Sequence, residues 1–344
     1  MMLKINLPQI YSFFLIIMLF SCSGEHRVDV SHIDLDIRVE RFDRALDSLR
    51  SDNVLVKNRE WLRRYGFFYA DYMQYMLEAG NPLDSVQLES VLRQIIETDD
   101  FRALKASVYE TYPDLSAQEA GLTDAFKHLK YYFPQLKVPR IIAFFSGFSV
   151  QSPVGEDYLG IGLDMFLGAD SKFYPALRES IPYYLSRRFT PENIVPRTVE
   201  SFIREELYPQ HDLDVTLLQH MVYQGKVLYL MDRVMPEVAD TLKIGYTTPQ
   251  WEWANRYERD IWAWFLQENL LYESDYNRIQ KYLSEAPFTP ELGENNESAP
   301  KLGVFIGWRL VQAYMERYPE TTLPELLEIS EAQVILDGSK YRGK

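Results

Sequence analysis

The chain begins with alternation and then becomes helically periodic. Ile33, Leu35, Ile37 and Val39 stand between Asp34, Asp36, Arg38 and Glu40. A period of two predicts a half-buried strand. Phe42, Leu46 and Leu49 predict a short helix. From Asn58 to Ala79, Trp61, Tyr65, Phe68, Tyr72, Tyr75 and Met76 recur mostly at steps of three and four, which gives a helix with an aromatic face. Gly80-Asn81-Pro82 stops it. Asp84–Thr98 reads as another helix, with Asp84 as its cap. Ser116-x-x-Glu119 is a capping box that opens a helix to Phe133. His128 lies on that helix beside Lys127 and Lys130, a placement that predicts an exposed imidazole.

The pattern then changes. "VPRIIAFF" at Val138–Phe145 is β-branched and aromatic, and "YLGIGLDM" at Tyr158–Met165 alternates and holds glycines. The turn-rich "SGFSVQSPVGED" between them predicts two strands joined by a long hairpin loop. From Pro191 onward the periodicity is helical almost throughout. Thr190 can cap a helix with Pro191 at its first position. Helices follow at Thr198–Leu207, from Asp214 to Met235, from Thr248-Pro249 through Trp251, Trp253, Tyr257, Trp262, Trp264 and Phe265, and at Leu302–Tyr318. Thr322-x-x-Glu325 and Ser330-x-x-Gln333 are capping boxes for two short final helices. The expected class is α+β, predominantly α-helical with a small mixed β-sheet.

The N-terminus does not belong to this fold. Lys4 precedes a short apolar run, "IYSFFLIIMLF", too short to span a membrane comfortably. Leu19-Phe20-Ser21-Cys22 follows, with Leu three residues before Cys and a small residue just before it, the pattern of a bacterial lipoprotein signal. Cys22 is the only cysteine among 344 residues, so it makes no internal disulfide. The sequence thus divides into a signal peptide at 1–21, a lipid-carrying tether at 22–31 anchored through Cys22, and one α-rich domain at 32–344. Within that domain, 32–136 supplies a strand and helices, and 137–344 the rest. Acyl chains on Cys22 would tether the protein to a membrane of the cell envelope, facing the periplasm, without spanning it. The net charge of −14 repels phosphate backbones and argues against nucleic-acid binding.

Catalytic signals are sparse. The chain has no G-x-S-x-G, Walker A or Rossmann glycine pattern, so no small-molecule cofactor is expected. Arg204-Glu205-Glu206-Leu207-Tyr208 keeps the frame of the zinc-protease helix H-E-x-x-H, but Arg and Tyr stand at the two His positions. A guanidinium has no free lone pair for a metal. Read alone, the five residues are an acidic helix with Arg204 and Tyr208 stacked one turn apart. His211 and His220 are the remaining imidazoles in this half. Nine residues apart on one helix, they would face opposite sides.

The stretches "IDLDIRVERFD" at Ile33–Asp43, "RIIAFFSGFS" at Arg140–Ser149, "YLGIGLDMFLG" at Tyr158–Gly168, "LLQHMVYQGKVLYLMD" at Leu217–Asp232 and "GWRLVQAYMERYP" at Gly307–Pro319 resemble the GldB lipoproteins of bacterial gliding motility in Bacteroidetes. That family is similar, more distantly, to predicted zinc-dependent proteases. The resemblance implies a zincin-like architecture whose metal site has degenerated. It puts Arg204 and Tyr208 on the two His positions, Glu205 on the base, Gln224 where a Glu would be the third ligand, and Ser339-Lys340-Tyr341 at the closing motif. It implies a non-catalytic envelope protein without zinc, acting in gliding motility or a related process through envelope or motility-machinery proteins. The vacated cleft would then take a partner segment along an exposed strand, for which Tyr158–Met165 is the candidate. The rival is a zinc-dependent metallopeptidase using an unorthodox set such as His211, His220 and Glu206. A glycan-binding surface built on the Trp-rich helix is a third reading, but its aromatics cover several helix faces, which suits packing better.

Overall fold

The computed structural model describes residues 28–83, 85–210, 215–293, 295 and 297–344. Cys22, Asp84, His211 and Asp214 lie outside the described residues. Three short strands, β1 (Val39–Arg41), β2 (Arg140–Phe144) and β3 (Tyr158–Gly162), form a sheet in the order β1-β2-β3. Helices make up most of the remainder, so the α+β expectation holds. The expected mixed sheet is instead parallel in both pairings, with Val39 opposite Ile141 and Ile141 opposite Leu159.

The expected hairpin between β2 and β3 is therefore not formed. After β2 the chain turns, and residues 151–155 run back antiparallel along the far side of β3. Gly155 N–H donates to Tyr158 O, Gly160 N–H to Pro153 O at 2.8 Å, and Gly162 N–H to Gln151 O at 2.8 Å. Two β3 glycines make this close return possible. A Cβ at Gly160 would meet the Pro153 ring, and one at Gly162 would strike the Val150 carbonyl. β3 is buried at every position and flanked on both sides, so it offers no free edge. The strand edge expected at Tyr158–Met165 is already occupied by the chain itself.

The opposite flank is closed by side chains. Residues 33–39 alternate in burial as their pattern predicts, but only Val39–Arg41 pairs as a strand. Ile37 N–H donates to Thr123 Oγ1 at 3.0 Å, and Val39 N–H to Glu119 Oε1 at 2.9 Å. Glu119 thus serves the sheet rather than a capping box, and Ser116 bonds to Asp114 instead. Thr322 does close its predicted box with Glu325, while Ser330 does not cap the final helix.

Phe42 is the hub of the N-terminal core. Its ring meets Trp61, Tyr65, Phe68, Tyr69 and Tyr72 at centroid distances of 5.0–5.9 Å. These positions lie on the Val54–Asp71 helix and just after it, which is why that helix carries its aromatic stripe. Phe68 passes the contact on to Phe144 and Tyr158 of the sheet. Phe101, Leu104 and Val108 belong to a further helix, Asp99–Thr111, which the pattern reading missed although their spacing signals it. His128, expected at the surface, is buried, with Nδ1 at 2.9 Å from Asp124 O.

The C-terminal half is built on the pair Leu217–Val234 and Leu302–Arg317. The Trp-rich segment is two helices, Thr248–Arg256 and Glu258–Gln267, parted at Tyr257. Trp251 packs on Phe305 and Trp308, and Trp262 on Tyr341. Buried residues from Ile37 to Ile335 form one continuous cluster across both halves.

Candidate functional site

Thr190 to Leu207 is one helical run rather than two. Pro191–Asn193 is a 3-10 turn, Ile194–Phe202 is α-helical, and Ile203–Leu207 widens into a π turn closed by Tyr208 N–H on Ile203 O at 2.7 Å. Such widened turns often mark functional positions in helices. Here the wider turn carries Arg204 and Tyr208 on one side, both against the Leu217–Val234 helix. The Arg204 guanidinium lies over the Tyr223 ring, and Tyr208 stacks on the same ring at 5.2 Å.

Gln224 meets Arg204 directly: Arg204 Nη2 donates to Gln224 Oε1 at 2.7 Å. Of the four positions singled out in the sequence, Arg204, Tyr208 and Gln224 thus share one interface. Glu205 does not join them and is exposed, as is Glu206. Lys226, buried one turn from Tyr223, donates to Ile329 O at 2.6 Å and to Tyr208 Oη at 3.3 Å. Burial lowers its pKa to about 8. The hydrogen-bond economy of this interface is that of a cation-rich helix contact. Arg204 offers no lone pair, and the Gln224 oxygen already accepts from it.

Arg204 also reaches Glu200, with Nε donating to Oε1 at 2.9 Å. Arg197 pairs with the other Glu200 oxygen and donates through Nη2 to Leu242 O and Lys243 O. Burial alone would raise the Glu200 pKa, but the attraction of Arg197 and Arg204 outweighs it and holds the carboxyl at about 2. A second carboxylate, Glu285, takes Arg188 and, at 2.6 Å, Lys301. Burial, reinforced by repulsion from Arg188 and Arg197, lowers Lys301 to about 8 against the pull of Glu285. The Arg188 guanidinium rests on Gly245, whose φ of 79° and missing Cβ leave the space for it. Arg188, Arg197, Glu200, Arg204 and Glu285 line a cleft of 550 Å³, and an adjoining cavity of 200 Å³ shares all of these but Arg188 and reaches Gln224, Lys243 and Lys301. Arg188, Arg197 and Glu285 were not singled out in the sequence. No short spacing joins them, since the groups come from three separate segments.

His220 is buried, with Nδ1 at 3.2 Å from Gln210 Nε2 and its ring near Tyr276. Its proposed co-ligand Glu206 is exposed, and His211 lies outside the described residues. Among the described residues, no three His, Cys, Asp or Glu side chains group as a metal site, and no helix is long and apolar enough to cross a membrane. Tyr341 of the closing motif donates to the buried Glu258 at 2.7 Å. No curated protein and no solved structure matches the chain. A family model described as gliding motility protein GldB matches residues 23–343.

Proposed function

The chain belongs to the GldB family of gliding-motility proteins, and from that premise we propose that it is a lipid-anchored, non-catalytic envelope protein acting through protein partners. The observation that carries this reading is the extent of the match, which starts one residue after Cys22 and runs almost to the C-terminus. Lipid on Cys22 would hold the domain at a membrane surface facing the periplasm, and residues 22–31 would act as its tether.

The donor chemistry at the zinc-protease frame supports the absence of catalysis. Arg204 and Gln224 satisfy one another, and Tyr208 is engaged with Tyr223 and Lys226. In this reading the frame is a relic in which a metal's ligands have been replaced by a polar helix contact. The domain would then contribute a rigid body and a surface to the motility machinery rather than a reaction.

The test is carried out in the native host. The Cys22→Ala chain is compared with wild type for membrane fractionation, incorporation of labelled palmitate, and cell spreading. Loss of label, release from the membrane and loss of spreading together support the proposal. A Cys22→Ala protein that stays in the membrane fraction and sustains normal spreading would overturn it.

A further inference from the structure

The cleft beside the Ile194–Phe202 helix carries an imbalance of charge. Arg188, Arg197 and Arg204 line it, and Lys301 joins them through Glu285 from the adjoining cavity, where it also donates to Ile244 O. Among the described residues the counter-ions of this network are Glu200 and Glu285. Lys243, on the inner wall, already has Asp232 at 2.8 Å and Asp240 at 3.2 Å. Four cations thus share two carboxylates, although the chain as a whole has a net charge of −14. The six groups are mostly buried, with side-chain exposures between 10% and 28%. Arg188 Nε and Arg197 Nε have no acceptor among the described residues. Buried charge without full compensation is costly, so a surplus of this kind is expected to recruit an anion. A concave, low-dielectric wall focuses the positive potential into the opening. The cleft volume of 550 Å³ is that of a small-ligand site.

We propose that this cleft binds an oxyanionic ligand carrying a dianionic group, either a phosphoryl group or a pair of carboxylates, held by the guanidinium groups of Arg188 and Arg204. Guanidinium groups suit both oxyanion types. Because Arg204 already donates through Nε to Glu200 and through Nη2 to Gln224, and Arg188 through Nη1 to Glu285, the ligand would take their remaining N–H groups. Two excess cations match a dianion rather than a monovalent ion. Gln151 and Ser152 of the return segment, with Ile181 and Leu185, also line the cleft and give the rest of such a ligand polar and apolar contacts. Burial is the main cause of the lowered Lys301 pKa, with repulsion from Arg188 and Arg197 adding to it. This site does not depend on the lipid anchor or on the motility role.

The test uses the purified full-length chain. Melting temperature and calorimetric titration are followed with inorganic phosphate, with succinate, and with sodium chloride at matched ionic strength. The expected result is a saturable rise of roughly 2–4 °C for phosphate or succinate once the ligand exceeds its dissociation constant some tenfold. Chloride should not reproduce it. Gln151→Glu places a carboxylate in the cleft lining at a residue outside the ion-pair network, and should weaken binding at least about tenfold. Arg188→Gln should do the same, each variant being compared with its own unliganded melting point. A response to phosphate alone assigns a phosphoryl ligand, and one to succinate alone assigns paired carboxylates. A rise that is linear in concentration and equal in wild type and Gln151→Glu reflects general salting effects and overturns the proposal, as does the lack of any response.

Discussion

Gly225 and Gly307 face each other where the two long C-terminal helices cross, close enough that a Cβ on either would enter the backbone of the other helix. A methyl at Gly225 would strike the Gly307 carbonyl, and one at Gly307 would strike the Met221 carbonyl. Backbone cannot move aside as a side-chain end can. Gly225→Ala and Gly307→Ala are each expected to destabilise the chain by about 2–4 kcal/mol, beyond the usual cost of overpacking a core. Denaturant unfolding of the purified variants measures this. A loss below about 0.5 kcal/mol in both would mean that the helices separate freely.

Acid should weaken the fold through Glu200. Its native pKa is depressed to about 2 from 4.5. The stability it supplies is therefore complete above 4.5 and is lost as the pH falls towards 2. The amount is roughly 2–3 kcal/mol. Glu200→Gln should be less stable at neutral pH and should show a flatter acid limb. Equal slopes in the two proteins would show that the Arg197 and Arg204 pairs contribute nothing.

Base should act in the opposite sense on Lys226 and Lys301. Both are depressed by burial to about 8 from 10.5. The stability linked to a lowered lysine is complete above its unfolded value and is lost as the pH falls through the folded one. Between about pH 8 and 10 the fold should therefore gain stability as these ammonium groups discharge. Lys226→Met should flatten this rise, as read from urea midpoints across that range.

Tyr341 anchors the C-terminus through its hydroxyl on Glu258, a carboxylate only 2% exposed that also faces Arg309 at 3.3 Å. Tyr341→Phe removes one bond to a charged acceptor and should cost about 1.5–3 kcal/mol. Thermal melting of the variant checks it. An unchanged melting point would place the end of the chain outside the cooperative unit.

Offered zinc after purification without chelators, the chain is expected to retain none in fixed proportion. Near one zinc per chain, lost on His220→Ala, would instead establish the metallopeptidase rival and make peptidase assays the next step.

Much of the helical architecture was legible because its signals are local. The aromatic stripe from Trp61 to Tyr72 and the Thr322–Glu325 box depend on neighbours a few residues away. The sheet was less legible. Glycine at positions 160 and 162 of β3 signals a close backbone approach, but not that the approaching chain is the loop just before it. That loop, read as a hairpin, became a return segment that leaves β2 and β3 parallel. Glu119 had the spacing of a capping residue, and a strand remote in sequence claimed its carboxylate. At the site, the Arg204 to Tyr208 frame was visible as a motif. The surrounding charges were not, because Arg188, Glu285 and Lys301 meet only through tertiary packing.

The closed flanks of the sheet matter most for a protein held on a surface. Molecules confined to two dimensions collide sideways far more often than in free solution, and an unpaired strand would turn each collision into a chance to polymerise. Here one flank is taken by Glu119 and Thr123, the other by the chain's own return from Gln151 to Gly155. Crowded neighbours on the proposed anchor would find neither flank of this sheet open among the described residues. Any ordered assembly they enter must be written in side chains, where a specific partner can be told from another copy of the same chain.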